Sequence, residues 1–125
     1  MKKIISTDEA PAAIGPYSQA VEANGTIYIS GQIPLDPTTG KMVDGGIAEQ
    51  TDRVLKNIQA ILEASGLSLA NVVKSTVLLK DIGDFKAMNE VYGRYYKENP
   101  PARAAFQVGA LPLDALVEIE TIAVR

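Results

Sequence analysis

The fold is decided by residues 17–31, which read YSQAVEANGTIYISG. Asn24-Gly25 lies in the middle of this stretch, and Asn-Gly tolerates the positive φ angles of a two-residue type I′ turn. The stretch therefore predicts two short strands joined as a β-hairpin. In the register that this turn sets, Ala23 faces Thr26 and Val21 faces Tyr28.

The same register has a consequence at the open end of the hairpin. If the pairing continues, Tyr17 faces Gln32, and Tyr17 and Ser30 become diagonal neighbours on one face. Two hydroxyl groups then project from one small patch beside Gly15-Pro16. In the alternative interpretation, Tyr17 packs by its ring and Ser30 only ends a strand.

Outward from the hairpin, hydrophobic periodicity and turn residues predict the other elements. They are a helix at 47–65 followed by Gly66, a strand at 72–80, a second helix capped by Asp81 or Asp84 that ends before Pro100-Pro101, strands at 103–108 and 116–124, and a further candidate strand at 3–6. This order predicts an α+β fold with one sheet and two helices.

The last predicted strand is apolar on both faces, although two helices cover only one face of such a sheet. One face carries Val117, Ile119 and Ala123, and the other carries Leu116, Ile122 and Val124. An uncovered apolar sheet face normally contacts a partner subunit, so we expect a homo-oligomer.

Composition narrows the possible functions. The 125 residues, 46% of them hydrophobic, predict a single domain over 1–125. A net charge of -3 argues against nucleic-acid binding. No stretch is long enough to span a membrane, and the apolar run near Met1 is too short for a signal peptide, so we expect a cytoplasmic protein.

The chain has no cysteine and no histidine. This composition excludes thiolate nucleophiles, a Ser-His-Asp triad, and metal sites built from thiolate or imidazole ligands. Acid–base chemistry must therefore come from Asp, Glu, Lys, Tyr or a water held by the backbone.

Four residues place polar groups in apolar surroundings. Arg103 begins an apolar strand, where it is either a carboxylate clamp or a solvated strand-end charge. Glu118 and Glu120 share one face of the last strand. Three roles are open to them: charges that keep a sheet edge soluble, partners for a cation, or an acid–base group of raised pKa. Asn89 is either an exposed residue of no particular role or an amide donor turned toward a site. The loop at 109–115 leaves the strand register open, so spacing does not place Arg103 and Glu118 on one face.

Four stretches together resemble one family across nearly the whole chain. They are GPYSQA at 15–20, SGQIPLDP at 30–37, PAR at 101–103 and VEIE at 117–120. In this order and spacing they are similar to the reactive-intermediate (imine) deaminases, also called the RidA/YjgF family.

The resemblance implies a chorismate-mutase-like α+β fold, with two helices on one face of a mixed sheet and active sites between the subunits of a homotrimer. It also implies hydrolysis of 2-iminobutanoate and 2-iminopropanoate to 2-keto acids and ammonia, without cofactor or metal. Arg103 would clamp the substrate carboxylate, assisted by the backbone N–H of Ala105, and Glu118 would orient or deprotonate the attacking water. The remaining pocket residues implied are Tyr17, Ser30, Gly31 and Asn89.

One position departs from the family, because several bacterial members carry cysteine where this chain has Ala105. A backbone amide supplies the implied role there, so alanine should preserve hydrolysis.

The alternative function is a non-catalytic module that binds small carboxylates or a partner protein on the same fold. RNA cleavage, also attached to the family, is disfavoured by the acidic charge and the missing histidine.

Overall fold

The computed structural model describes residues 1–125 and contains eight regular elements. They are β1 Lys3–Ile5, β2 Ala20–Ala23, β3 Thr26–Gln32, α1 Ile47–Ala64, β4 Val72–Leu79, α2 Phe85–Tyr95, β5 Ala102–Gln107 and β6 Val117–Val124. The strands form one mixed sheet in the order β1-β2-β3-β6-β4-β5, in which only β4 and β5 run parallel. The predicted elements are confirmed, and apart from the end of α2, the ends that the sequence analysis gives lie within three residues of the observed ones.

The hairpin forms as the Asn-Gly signal predicts. Asn24 and Gly25 both have positive φ, at 51° and 78°, as a type I′ turn requires. The β2–β3 register pairs Ala23 with Thr26 and Val21 with Tyr28. The predicted pairing of Tyr17 with Gln32 is wrong, because the chain bends before β2 and the Tyr17 N–H donates to the Gly15 carbonyl at 2.8 Å.

Both helices begin at residues that the sequence singles out, and α1 ends just before Gly66, whereas α2 ends at Tyr95, earlier than the stop expected at Pro100-Pro101. At the start of α1 the Gly46 N–H donates to Glu49 Oε1 at 2.8 Å, and Gly66 follows the helix with a φ of 76°. Before α2, the Asp81 side chain caps a short 3₁₀ turn, whereas Asp84 occupies the N-cap of α2 itself without a side-chain bond. Both aspartates therefore lie where the chain enters α2.

Both helices pack on one face of the sheet. On β6 the residues that face them are buried, and those between them lie on the opposite, open face. The open face keeps large apolar side chains at the surface, among them Tyr28, Phe106 and Val124 at 48%, 47% and 41% exposure. The expected uncovered sheet face is confirmed. Neither helix combines the length with the apolar character that a membrane span requires.

The sheet register settles which face each charged residue takes. Ser75 of β4 pairs with Thr121 of β6 and with Arg103 of β5, so Arg103 belongs to the row that faces the helices. Leu78 pairs with Glu118 and lies three residues further along β4, in a row on the open face. Arg103 and Glu118 of one chain therefore project from opposite faces of the sheet.

Candidate functional site

A buried glutamine anchors the segment that leads into the candidate site. The Gln19 amide nitrogen donates to the carbonyls of Thr7, Ala10 and Pro11 at 3.0, 3.2 and 2.7 Å, and its oxygen accepts from the Thr7 N–H at 2.8 Å. These bonds satisfy a side chain that is 4% exposed. They also fix the stretch just before the bend that carries Tyr17.

A β-bulge in β3 lies at the centre of the candidate site. Ile29 pairs with Thr121 and Gln32 with Ile119, so the two residues at 30–31 of β3 face one residue of β6. A bulge bends the strand and redirects side chains at that point. Here the Ser30 hydroxyl turns back and donates to the Ser18 carbonyl at 2.6 Å.

The bulge brings the backbone of Gly31 against the side chain of Glu118. A Cβ atom placed on Gly31 would overlap Oε2 of Glu118 and lie only 3.0 Å from its Cδ. The missing side chain therefore lets the carboxyl group sit directly over the bulge. The surrounding cleft has a volume of about 480 Å³ and is lined by Ile14, Tyr17, Ser30, Gly31, Ile33, Pro112, Glu118 and Glu120.

The environment of Glu118 favours its neutral form. Burial raises the pKa of the Glu118 carboxyl above its ordinary value, and the negative charge of Glu120 raises it further. A carboxyl group with a raised pKa, next to a cleft, is suited to exchange protons with a bound molecule or water. We call Tyr17, Ser30, Gly31 and Glu118 the glutamate cluster.

A second group of residues surrounds Arg103. Its Nη1 donates to Oδ1 of Asn89 at 2.7 Å. The guanidinium carbon also lies 5.4 Å from the ring centre of Phe85 and 4.9 Å from that of Tyr92, within the range of cation–π attraction. No carboxylate of the chain forms an ion pair with this cation. We call Phe85, Asn89, Tyr92 and Arg103 the arginine cluster.

Ala105 lies beside the arginine cluster. It is two residues beyond Arg103 on β5, so both side chains take the face toward the helices. Ala105 pairs with Val77 and packs against the core. Its methyl group therefore serves packing, and any contact with a ligand would come from its backbone.

The structure thus brings the sequence-predicted residues together as two groups rather than one. Tyr17, Ser30, Gly31 and Glu118 line one cleft, whereas Asn89, Ala105 and Arg103 lie at the sheet edge formed by β5. Sequence reasoning missed the roles of Phe85, Tyr92 and Gln19. For the first two a signal existed, since Phe85, Asn89 and Tyr92 recur at i, i+4 and i+7 on one face of α2.

The chain is similar to known proteins over nearly its whole length. The family model described as endoribonuclease L-PSP matches residues 7–125. The human 2-iminobutanoate/2-iminopropanoate deaminase is 55% identical over 125 residues, which cover 100% of this chain and 91% of the human protein. Among solved structures, RidA from the Antarctic bacterium Psychrobacter sp. is 50% identical with a TM-score of 0.95, over 98% of this chain and 99% of that one. Escherichia coli TdcF with bound serine is 43% identical with a TM-score of 0.94, over 98% of both chains.

Fold and sequence together therefore define a small α+β protein of the reactive-intermediate deaminase class. The chain belongs to the RidA/YjgF family. The family predicted from the four sequence stretches is confirmed.

The contact between Gly31 and Glu118 makes a prediction that concerns the carboxyl group alone. In Gly31→Ala the new methyl group pushes the end of the Glu118 side chain toward water, so the pKa of Glu118 falls back toward its ordinary value. A ¹³C NMR titration of the glutamate side chains measures this change. Gly93→Ala is the matched control, because nothing lies within 4 Å of a Cβ at Gly93. An unchanged Glu118 titration in Gly31→Ala would contradict the contact.

A second titration isolates the electrostatic contribution. Glu120→Gln removes a negative charge that disfavours ionisation of Glu118, so the pKa of Glu118 falls and the group ionises at lower pH. The same NMR experiment reads the midpoint. A midpoint that stays in place, or that rises, would mean that Glu120 does not act on Glu118 through its charge.

Proposed function

We propose that this protein hydrolyses 2-iminobutanoate and 2-iminopropanoate to the corresponding 2-keto acids and ammonia, at sites shared between two copies of the chain. The observation that carries the proposal is the pair of clusters on opposite faces of one sheet, one bearing an unpaired cation and the other a carboxyl of raised pKa. The names of relatives at 51–58% identity support the reaction.

In the proposed site, Arg103 binds the substrate. A guanidinium offers five N–H donors in a planar fork, and one of them is engaged by Asn89. The others remain for a bidentate pair with the substrate carboxylate. The backbone N–H of Ala105 assists this contact. The serine that accompanies Escherichia coli TdcF is a small α-carboxylate of the same kind.

Glu118 then acts on water. The imine carbon is already electrophilic, most of all when its nitrogen is protonated, so the protein has only to place a water molecule over it and accept a proton. As the water oxygen bonds to carbon, Glu118 takes one proton from it. Glu118 returns this proton to the amino nitrogen of the carbinolamine. As the C–N bond breaks and ammonia leaves, Glu118 takes the remaining proton of the hydroxyl group, and the C=O bond of the keto acid forms.

The other predicted residues shape the cleft. Tyr17, Ser30 and Gly31 line its wall next to Glu118, where they contact the imine or the water. Asn89, which was expected to bond the imine or the water, acts through Arg103, because its amide oxygen accepts a guanidinium N–H.

Shared sites require assembly, and the open sheet face is the surface that we propose for it. Exposed Tyr28, Phe106 and Val124 give this face an apolar contact area. A closed ring of three chains, each presenting one cluster to the next, would create three identical sites. We therefore propose a homotrimer in the cytoplasm, acting without metal, cofactor, membrane or nucleic acid, in keeping with the absence of histidine and cysteine and the net charge of -3.

The activity is tested by trapping. A threonine dehydratase generates 2-iminobutanoate in the presence of semicarbazide, and the semicarbazone is recorded. The wild-type protein should lower the yield of semicarbazone. Arg103→Ala and Glu118→Gln should each lose about a hundredfold in kcat/KM, because one removes the carboxylate partner and the other the proton acceptor. Equal trapping with wild type and both variants would refute the catalytic assignment and favour a carboxylate-binding module.

The shared site is tested by mixing the two inactive variants. After joint unfolding and refolding at equal amounts, about a quarter of the sites should combine an intact Arg103 with an intact Glu118 from different chains. Activity should return to about that fraction of wild type. Refolded single variants are the controls and should stay inactive. A mixture as inactive as its components would mean that both residues act from one chain.

A further inference from the structure

Three residues of a single helix contact the guanidinium of Arg103. Phe85, Asn89 and Tyr92 lie at i, i+4 and i+7 of α2, which puts them on one face. The amide takes one N–H of the guanidinium at 2.7 Å, and the two rings lie within 5.4 Å of its central carbon. Such contacts fix a side chain that otherwise has many rotamers.

The support is itself rigid. Tyr92 is 5% exposed, and its ring packs against that of Tyr96 at 4.7 Å between centres. Both belong to the hydrophobic core under β4 and β6. The exposed Arg103 therefore rests on a ring that the core immobilises, an arrangement that preorganises a binding group.

The three residues of α2 leave most N–H donors of Arg103 free. No carboxylate of the chain pairs with Arg103, and Asn89 takes a single N–H. Aromatic rings attract a cation without consuming its N–H donors. Two adjacent donors therefore remain for an external carboxylate, and the side chain need not lose rotamer freedom when the carboxylate binds.

We infer that Phe85, Asn89 and Tyr92 are positioning residues that fix the Arg103 guanidinium before substrate arrives, and that they thereby set the preference for ligands with a carboxylate next to the reacting carbon. This inference rests on the proposed function. The alternative is that the two rings serve core packing alone and Arg103 settles only when a ligand binds.

The test measures Arg103 in the ligand-free protein by ¹⁵N relaxation of its Nε–H group, together with the Kd of 2-oxobutyrate. Tyr92→Leu and Phe85→Leu should lower the order parameter of this group and weaken 2-oxobutyrate binding about fivefold each. Tyr92→Phe keeps the ring and should restore wild-type order and affinity. In turnover the two leucine variants should raise KM with little change in kcat, since they weaken ground-state and transition-state binding of the carboxylate alike.

Tyr95→Leu is the matched control. Tyr95 is a half-buried aromatic residue of the same helix, but its hydroxyl bonds to Asp52, and the cation–π contacts of Arg103 are with Phe85 and Tyr92. This variant should lower the melting temperature and leave both Arg103 order and 2-oxobutyrate affinity at wild-type values.

Wild-type order and affinity in Tyr92→Leu and Phe85→Leu would overturn the inference. If Tyr92→Leu does not fold, Phe85→Leu decides alone, because Phe85 is only partly buried at the first turn of α2. The result is independent of the proposed reaction: a wild-type protein without imine turnover would refute the function, whereas the relaxation and the binding of 2-oxobutyrate would still decide whether α2 positions Arg103.

Discussion

Alternation of side chains across the sheet is the constraint on which the rest of this molecule depends. Pairing of β4 with both β5 and β6 puts Arg103 in one row with Ser75 and Thr121, toward the helices, and Glu118 in a row on the open face. A shift of one residue in either pairing would exchange these faces. As folded, the cation and the acid of one chain are separated by the sheet itself, so chemistry that needs both must use two chains.

Within one chain, the same separation keeps Arg103 and Glu118 from pairing with each other. Instead Arg103 is held by an amide and two aromatic rings, and burial with a neighbouring Glu120 raises the pKa of Glu118. The contacts of Arg103 leave N–H donors free for a ligand, whereas the surroundings of Glu118 disfavour its ionised form.

Local sequence signals predicted much of this fold, and long-range pairing supplied the rest. Asn24-Gly25 determined a turn and its register, and the apolar spacing of α1 determined a helix, because both are local effects. The bulge at Gly31 was not predictable, since it arises where β3 meets β6, nearly ninety residues away in the sequence. The side of the sheet on which Arg103 lies was equally unpredictable from the sequence. The reason is that β5 pairs with β4 in parallel after a helical connection, and no turn fixes that register.

The central claim is that one bound acid contacts two chains, and a crystal structure of the assembled protein with 2-oxobutyrate tests it most directly. The account predicts a trimer in which the ligand carboxylate lies on Arg103 of one chain, while its carbonyl carbon faces Glu118 of the neighbouring chain across a water-sized gap. A ligand that contacts Arg103 with no second chain near it, or that binds away from Arg103 altogether, would contradict the account.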